Sequence, residues 1–388
     1  MNFDFTEDQL ALRDTVRKWV QKDYGFEHRR AIARAGAFSG EIWHALSELG
    51  LLGLLIPEEH GGLDLGPIEA MVVMEEFGRA LLLEPYAQGG LIAPHLLVQA
   101  PQPLRQRLLP EIAAGETLVV LAHQEPAARY RLAHVTTRAA LAGDGWKISG
   151  IKSNVPAASH AHALLVPARV MGAADDEDGV ALFLVECGSA APPVRPAVTL
   201  DGTAAAEVVF DDTPAQLVLQ AGPGPGGAFG LLERAIDIGI AALCAEGVGT
   251  MESLLTLTTE YLNTRKQFGV PIGSFQVLRH RIADMKLQLE LARSMSYLAS
   301  LKLAQPAAER RRFLSQAKLQ LGRSMRYVGQ QSLQLHGAMG LTDEYIASHY
   351  FRRLTALEMT FGDSFHHLGE ASRRMDMAAG VYLTAGVD

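Results

Sequence analysis

The chain of 388 residues carries 35 basic and 43 acidic side chains, a formal charge of −8, which excludes a molecule that holds nucleic acid by its overall field. At 48% hydrophobic and 20% charged residues it is a globular chain, with room for two or three domains and apolar surface to spare for other subunits. Its two cysteines, Cys187 and Cys244, build neither a disulfide framework nor a metal site and read as buried thiols of a reducing compartment.

The first residues show no basic region leading an apolar run, so no signal peptide is expected. Leu49 to Ile56 is too short to span a bilayer and is interrupted by Gly50 and Gly53. A cytoplasmic enzyme or enzyme subunit is the expectation.

Thr6-x-x-Gln9 is a capping box, followed by Leu12, Val16, Trp19 and Val20 at helical spacing. Further helices are predicted over 40–49, 68–79 and 102–114, the first stopped by Gly50. From Leu118 the period changes to two. Short apolar or alternating runs at 118–122, 135–141, 146–152, 163–166 and 180–185, separated by Gly- and Pro-rich turns, predict a small β-barrel or sandwich. Gly222 to Gly227 is a linker. Beyond it, 229–262, 275–303, 307–335 and 342–361 are long and periodic, and predict a four-helix antiparallel bundle. No repeat or low-complexity tract interrupts this order. The expected class is mainly α with a central β-domain (α+β), divided into an N-terminal helical domain at 1–117, a β-domain at 118–225 and a bundle at 226–388.

One loop is unlike ordinary filler. Between the first two bundle helices run Arg265, Gln267, Phe268, Gly269, Pro271 and Gln276, with Ser274 placed to cap the second helix. A forked cation, two amides and an aromatic ring suit a ligand with phosphates and an adenine. The bland reading of Arg265 is a salt bridge to a bundle carboxylate. Gln334-Leu-His-Gly337-Ala-Met-Gly340 is a second candidate, since glycines let backbone amides approach an anion. The bland reading of Gln334 is a buried amide at a helix end.

The run Tyr261-x-x-x-Arg265-x-x-Phe268-Gly269-x-x-Ile272-x-x-x-Gln276 resembles the acyl-CoA dehydrogenase family. So do Glu75-Glu76-Phe77-Gly78-Arg79 and the Gln334 turn, in which Ala338 replaces a family glycine. The resemblance covers essentially the whole chain. It implies FAD as cofactor, and implies that Arg265, Gln267, Phe268, Gln276, Gln334 and Gly337 grip the flavin of a neighbouring protomer. It also implies an acyl-CoA substrate, fatty acid metabolism and electron-transfer flavoprotein as acceptor.

The chain departs from that family in two places. In the flavin-ring cradle Glu125, Pro126 and Lys152 match the family, Gln124 stands at its Thr, and Arg129, Tyr130 and Arg131 replace its Gly-Ser-Asp. Val155 and Pro156 fall where the family has Ile-Thr, and Pro156 has no N–H to donate. Backbone contacts do not depend on side chains, and the resemblance implies Gln124 and Val155 as the cofactor-binding positions of this half. The family's catalytic Glu aligns with Phe361, and its alternative position on the first bundle helix with Gly239, beside Asp237. Asp363 is a possible substitute base, with helix capping as its bland reading. Glu358 lies three residues before Phe361, and Glu246 reads as packing or a subunit contact. His366-His367 is a poor metal site, because adjacent helical side chains face apart.

Phe361-Gly362-Asp363 with His366-His367 also resembles the small subunit of pimeloyl-CoA-type dehydrogenases. The expectation is a subunit lacking the usual Glu, in a heterotetramer with a sister chain that keeps it. The alternatives are a self-sufficient homo-oligomer using Asp363, and a non-catalytic binding subunit that keeps only the fold.

Overall fold

A computed structural model describes residues 4–143, 145–188 and 191–384. The chain forms two compact units. The first gathers Met1–Arg29, Pro67–Leu82 and Ile240–Asp388, and the second Arg30–Gly66 and Leu83–Gly239.

In the first unit, α1 (Glu7–Asp23) starts at the expected capping box: Gln9 N–H donates to Thr6 Oγ1 at 3.2 Å and Thr6 N–H to Gln9 Oε1 at 3.0 Å. Next come α4 (Pro67–Ala80) and the larger part of α7 (Ala228–Thr264). The glycines of α4 and α7 let the two backbones touch. A Cβ on Gly78 would sit 2.1 Å from Glu246 O, and one on Gly249 1.8 Å from Glu75 O. This close crossing explains the small residue inside Glu75-Glu76-Phe77-Gly78-Arg79.

The remaining bundle helices are α8 (Gln276–Lys302), α9 (Ala307–His336), α10 (Ile346–Met359) and α11 (Ser364–Thr384). The helical bundle is as expected, with α11 as a further helix past Phe361 that periodicity did not reveal. One correction concerns the start of α8. Its cap position is Phe275, without a side-chain cap, and Ser274 Oγ donates instead to Pro271 O at 2.7 Å.

Buried ion pairs tie α1, α4, α7 and α8. Glu76, fully buried, accepts from Arg17 at 2.6 Å and Arg79 at 3.1 Å. Glu75 faces Arg293 at 3.3 Å, which also holds Glu252 at 3.1 Å. Burial pushes the Glu75 carboxyl up to about 7, against the pull of Arg293 and Arg79.

The second unit packs helices against a barrel. Its helices include α3 (Gly40–Glu48), α5 (Ala93–Leu97) and α6 (Gln102–Ala113), with α2 (Phe26–Arg34) leading into it. A π-helical turn at Ala87–Ile92 brings Gly89 so near Trp43 and Leu118 that a Cβ there would lie 2.8 Å from each. The strands are β1 (Val119–Leu121), β2 (Arg138–Ala142), β3 (Gly145–Pro156), β4 (Ala163–Arg169), β5 (Val180–Glu186), β6 (Val194–Val198) and β7 (Ala204–Leu219). Pairings β2–β3–β7–β5–β4–β2 close a ring, with β1 added to β4 and β6 to β7. Of the two β architectures expected, the closed barrel is the one formed, which leaves its five ring strands without edges. Strands β6 and β7 were not foreseen. Alternation in β7 is interrupted at Asp211-Asp212-Thr213-Pro214, where two exposed carboxylates stand side by side before the buried Thr213.

Candidate functional site

In the first unit, α7 ends at Thr264 and the chain turns through a miniature hairpin of β8 (Lys266–Gln267) and β9 (Val270–Pro271). Phe268 and Gly269 form its tip at φ 56° and 81°. Two successive left-handed residues match the right-handed twist of paired strands. Arg265 is fixed at the hairpin's base: its N–H donates to Tyr261 O and its C=O accepts from Ile272 N–H, both at 2.8 Å. The Arg265 guanidinium is exposed and has no ion-pair partner among the described residues, so the salt-bridge reading does not hold. Phe268 is 89% exposed and meets Phe275 edge-on at 6.1 Å. Gln267 and Gln276 are exposed too, and the Gln267 amide donates to Lys266 O at 2.8 Å.

The end of α9 supplies the second group. Gln334 is exposed, not buried at the helix end. Gly337 stops the helix at φ 60° and ψ −141°, with its N–H on Gln334 O. A Cβ on Gly337 would meet nothing within 4 Å, so the space in front of this backbone is open. Gly340 is the packed member, where a Cβ would lie 3.0 Å from that of His336. Ala338 is exposed, and the extra methyl fills no closed space.

The third group is the turn between α10 and α11. Phe361 takes a left-handed φ of 57°, followed by Gly362 at 111°. Asp363 caps α11: its Oδ1 accepts from His366 N–H at 2.8 Å. Glu358 is buried and accepts from Ser364 N–H at 3.0 Å, Ser364 Oγ at 2.7 Å and Arg326 at 3.1 Å. Glu246 is buried and paired with Arg353 at 2.5 Å. Gly239 and Asp237 are buried along α7.

Sequence reasoning missed the residue that organises this turn. The Lys318 ammonium, fully enclosed, donates to Leu357 O, Glu358 O and Gly362 O at 2.9, 2.8 and 2.9 Å. Burial pushes it down to about 8, against the pull of Cys244, Glu358 and Asp363. The available signal was a lysine inside the apolar stripe Leu314, Ala317, Leu321 of α9. His367, also buried, donates from Nε2 to Phe361 O at 3.0 Å, and burial beside Lys318 and His366 lowers it to about 3. The rings of His366 and His367 stand at 84° to each other.

In the second unit, Glu125 and Lys152 form a buried pair at 2.8 Å. Glu125 also accepts from the N–H groups of Thr136 and Thr137, at 2.8 and 3.0 Å. Burial alone would raise the Glu125 carboxyl, but Lys152 and these donors hold it at about 2. Gln124 C=O takes Ser153 N–H at 2.8 Å, Val155 is buried, and Pro156 ends β3 opposite Ala205. Arg129 is exposed at φ 51°, and Arg131 is bridged to Asp175 at 2.9 Å.

Residues 6–116 match the acyl-CoA dehydrogenase N-terminal domain and residues 229–375 the acyl-CoA dehydrogenase C-terminal domain. FadE12, an acyl-CoA dehydrogenase of Mycobacterium tuberculosis strain H37Rv, is 31% identical over 89% of each chain. The chain belongs to the acyl-CoA dehydrogenase family. Mitochondrial isovaleryl-CoA dehydrogenase of Pongo abelii is 30% identical over 75% of this chain and 71% of its own. Among solved structures, a variant of the Tcur3481-Tcur3483 steroid ACAD superposes with a TM-score of 0.86, at 26% identity over 96% and 99% of the two chains.

Members of this family are FAD-dependent oxidoreductases that dehydrogenate acyl-CoA thioesters. The hairpin and α9 groups suit the cofactor's adenosine diphosphate half, offering an unpaired guanidinium, three exposed amides and open space before Gly337. The barrel residues offer less to a flavin ring, because Pro156 lacks an N–H and Arg129, Tyr130 and Arg131 stand where small residues would leave room. No described helix is long and apolar enough to cross a membrane.

Proposed function

We propose that this chain is the subunit of a heteromeric acyl-CoA dehydrogenase that lacks the catalytic Glu, and that it lends Arg265, Gln267, Phe268, Gln276, Gln334 and Gly337 to a flavin seated in a sister chain. The observation that carries the reading is the turn at Phe361. An apolar side chain occupies the base position, and both nearby carboxylates are committed, Asp363 to the cap of α11 and Glu358 to Ser364 and Arg326. A general base must reach the α-proton of the thioester, and a carboxylate engaged by its own helix end is held away from that task. FAD, when bound, supplies the acceptor for the β-hydride. The sister chain's Glu removes the proton, and this chain binds and orients the cofactor from across the boundary.

Three further features support the reading. The groups that would face a neighbour are exposed, and the Arg265 guanidinium has no ion-pair partner among the described residues. The barrel positions that would face a flavin of the chain's own, Gln124 and Val155, are tied up in main-chain bonding or buried. One structurally similar protein is named as a pair of chains. The acyl-CoA would enter through the sister chain, electron-transfer flavoprotein would take the electrons, and the enzyme would be cytoplasmic. The three-part division at 1–117, 118–225 and 226–388 belongs to the same reading.

Purification of this chain alone, and of the assembly it forms in its own cell, tests the proposal through flavin absorbance and acyl-CoA oxidation. Little flavin and no turnover in the lone chain, with both present in the assembly, is the expected result. Full flavin loading with turnover by the homomer would overturn it.

A further inference from the structure

His336 lies inside the Gln334 turn and is used by nothing described so far. It is 2% exposed. Its ring lies against Tyr261 with centroids 4.6 Å apart at 34°, and against Tyr345 at 5.3 Å and 57°. Those three rings come from three separate places in the chain. Tyr261 is in the last turn of α7, and its C=O receives the Arg265 N–H. His336 is the last residue of α9, two after Gln334 and one before Gly337. Tyr345 is the cap position of α10.

The polar atoms of His336 show what holds it. Nδ1 lies 2.8 Å from Ser332 O, and because a carbonyl only accepts, Nδ1 carries the proton. Nε2 then has a lone pair, and it is buried without a hydrogen-bond partner among the described residues. Burial lowers the imidazole below its ordinary value, which disfavours a charged ring. A ring with one local hydrogen bond and one unmatched nitrogen is located by its two aromatic faces.

We infer that His336 is a positioning residue, whose ring, clasped between Tyr261 and Tyr345, locks the Arg265 hairpin and the Gln334–Gly337 turn in one mutual arrangement for a single adenosine diphosphate group. This rests on the cofactor-lending role proposed above. Arg265 and Gly337 belong to separate elements, and a diphosphate gripped from both needs their spacing fixed before it arrives.

The test measures the FAD dissociation constant of the purified assembly, with thermal unfolding recorded for each variant. His336→Ala removes both ring contacts and is expected to weaken FAD by about tenfold while the protein stays folded. His336→Phe keeps the shape and removes the unmatched nitrogen. It is expected to bind FAD like the wild type and to melt no lower. A folded H336A with wild-type affinity overturns the inference, as does an H336F as weak as H336A, which would mean that hydrogen bonding and not packing sets the ring. Should H336A fail to assemble, Tyr345→Leu strips one face of the clasp and reads the same quantity: weaker FAD supports the clasp, unchanged FAD overturns it. Arg265→Ala separates the two levels. Unchanged affinity in R265A removes the cofactor-lending role itself, whereas a weakened R265A beside a wild-type-like H336A removes only the clasp.

Discussion

Asp363 carries two readings, base and helix cap, and the contact it makes is the cap. Its carboxylate sits beside the family's base position, yet it accepts the N–H of His366 and opens α11. Asn is as good a helix cap as Asp, so Asp363→Asn removes the charge and keeps the cap. Activity of the assembly and its melting temperature are both expected to be unchanged in D363N. Asp363→Ala should cost about 1 kcal/mol of stability, measured by denaturant unfolding. Loss of turnover in D363N would restore Asp363 as the base.

His367 makes a pH statement at the same turn. Burial and Lys318 lower it to about 3, so it is neutral in the folded chain and titrates near its ordinary value when unfolded. The unfolded state therefore binds more protons between those two values, and stability is lost as pH falls from about 6.5 toward 3. His367→Gln should flatten that part of the melting-temperature profile. A profile with the same acid slope would contradict the assignment.

Among elements, the β8–β9 hairpin is the clearest case of structure kept against local preference. A phenylalanine at φ 56° with 89% exposure gains no burial, and a left-handed conformation costs a non-glycine residue roughly 1–2 kcal/mol. Phe268→Gly is therefore expected to leave the lone chain at least as stable by thermal unfolding, and to weaken its capture of flavin in the assembly. A lone chain that melts lower in F268G would show that Phe268 is packed at home. The network of α1, α4, α7 and α8 behaves oppositely, being built wholly for the chain itself. Glu75, raised to about 7, is protonated in the fold below that value, so its contribution is largest in acid and is lost as pH rises from about 4.5 to 7. Glu75→Gln should remove this component, read as the difference between wild-type and variant melting temperatures across that range.

At the scale of the whole molecule, the chain has the family fold, and the role proposed for it leaves proton removal to a sister chain. Restoring one residue is not expected to restore the reaction. Phe361→Glu places a carboxylate on the turn that Lys318 pins, but it leaves Pro156 and the Arg129–Arg131 segment of the barrel unchanged. F361E purified without a sister chain should hold little flavin and oxidise no acyl-CoA. Turnover by that variant alone would mean that the barrel seats a flavin after all.

Much of this was legible in the chain before any coordinates. Helical and two-residue periods give the order of helices, barrel and bundle, because burying one apolar face leaves a repeat in the sequence. Glycine and proline marked the ends, and the exposed Arg265, Gln267, Phe268 and Gln276 stood out because a surface loop has no structural need of them. What the sequence could not give were facts of position across long separations. The ring closure of the barrel, the commitment of Glu358 and Asp363, the three carbonyls on Lys318 and the Tyr261–His336–Tyr345 clasp all join residues whose spacing follows no period. A hydrogen bond or ring contact depends on distances of a few ångströms, and only the packed tertiary structure sets them.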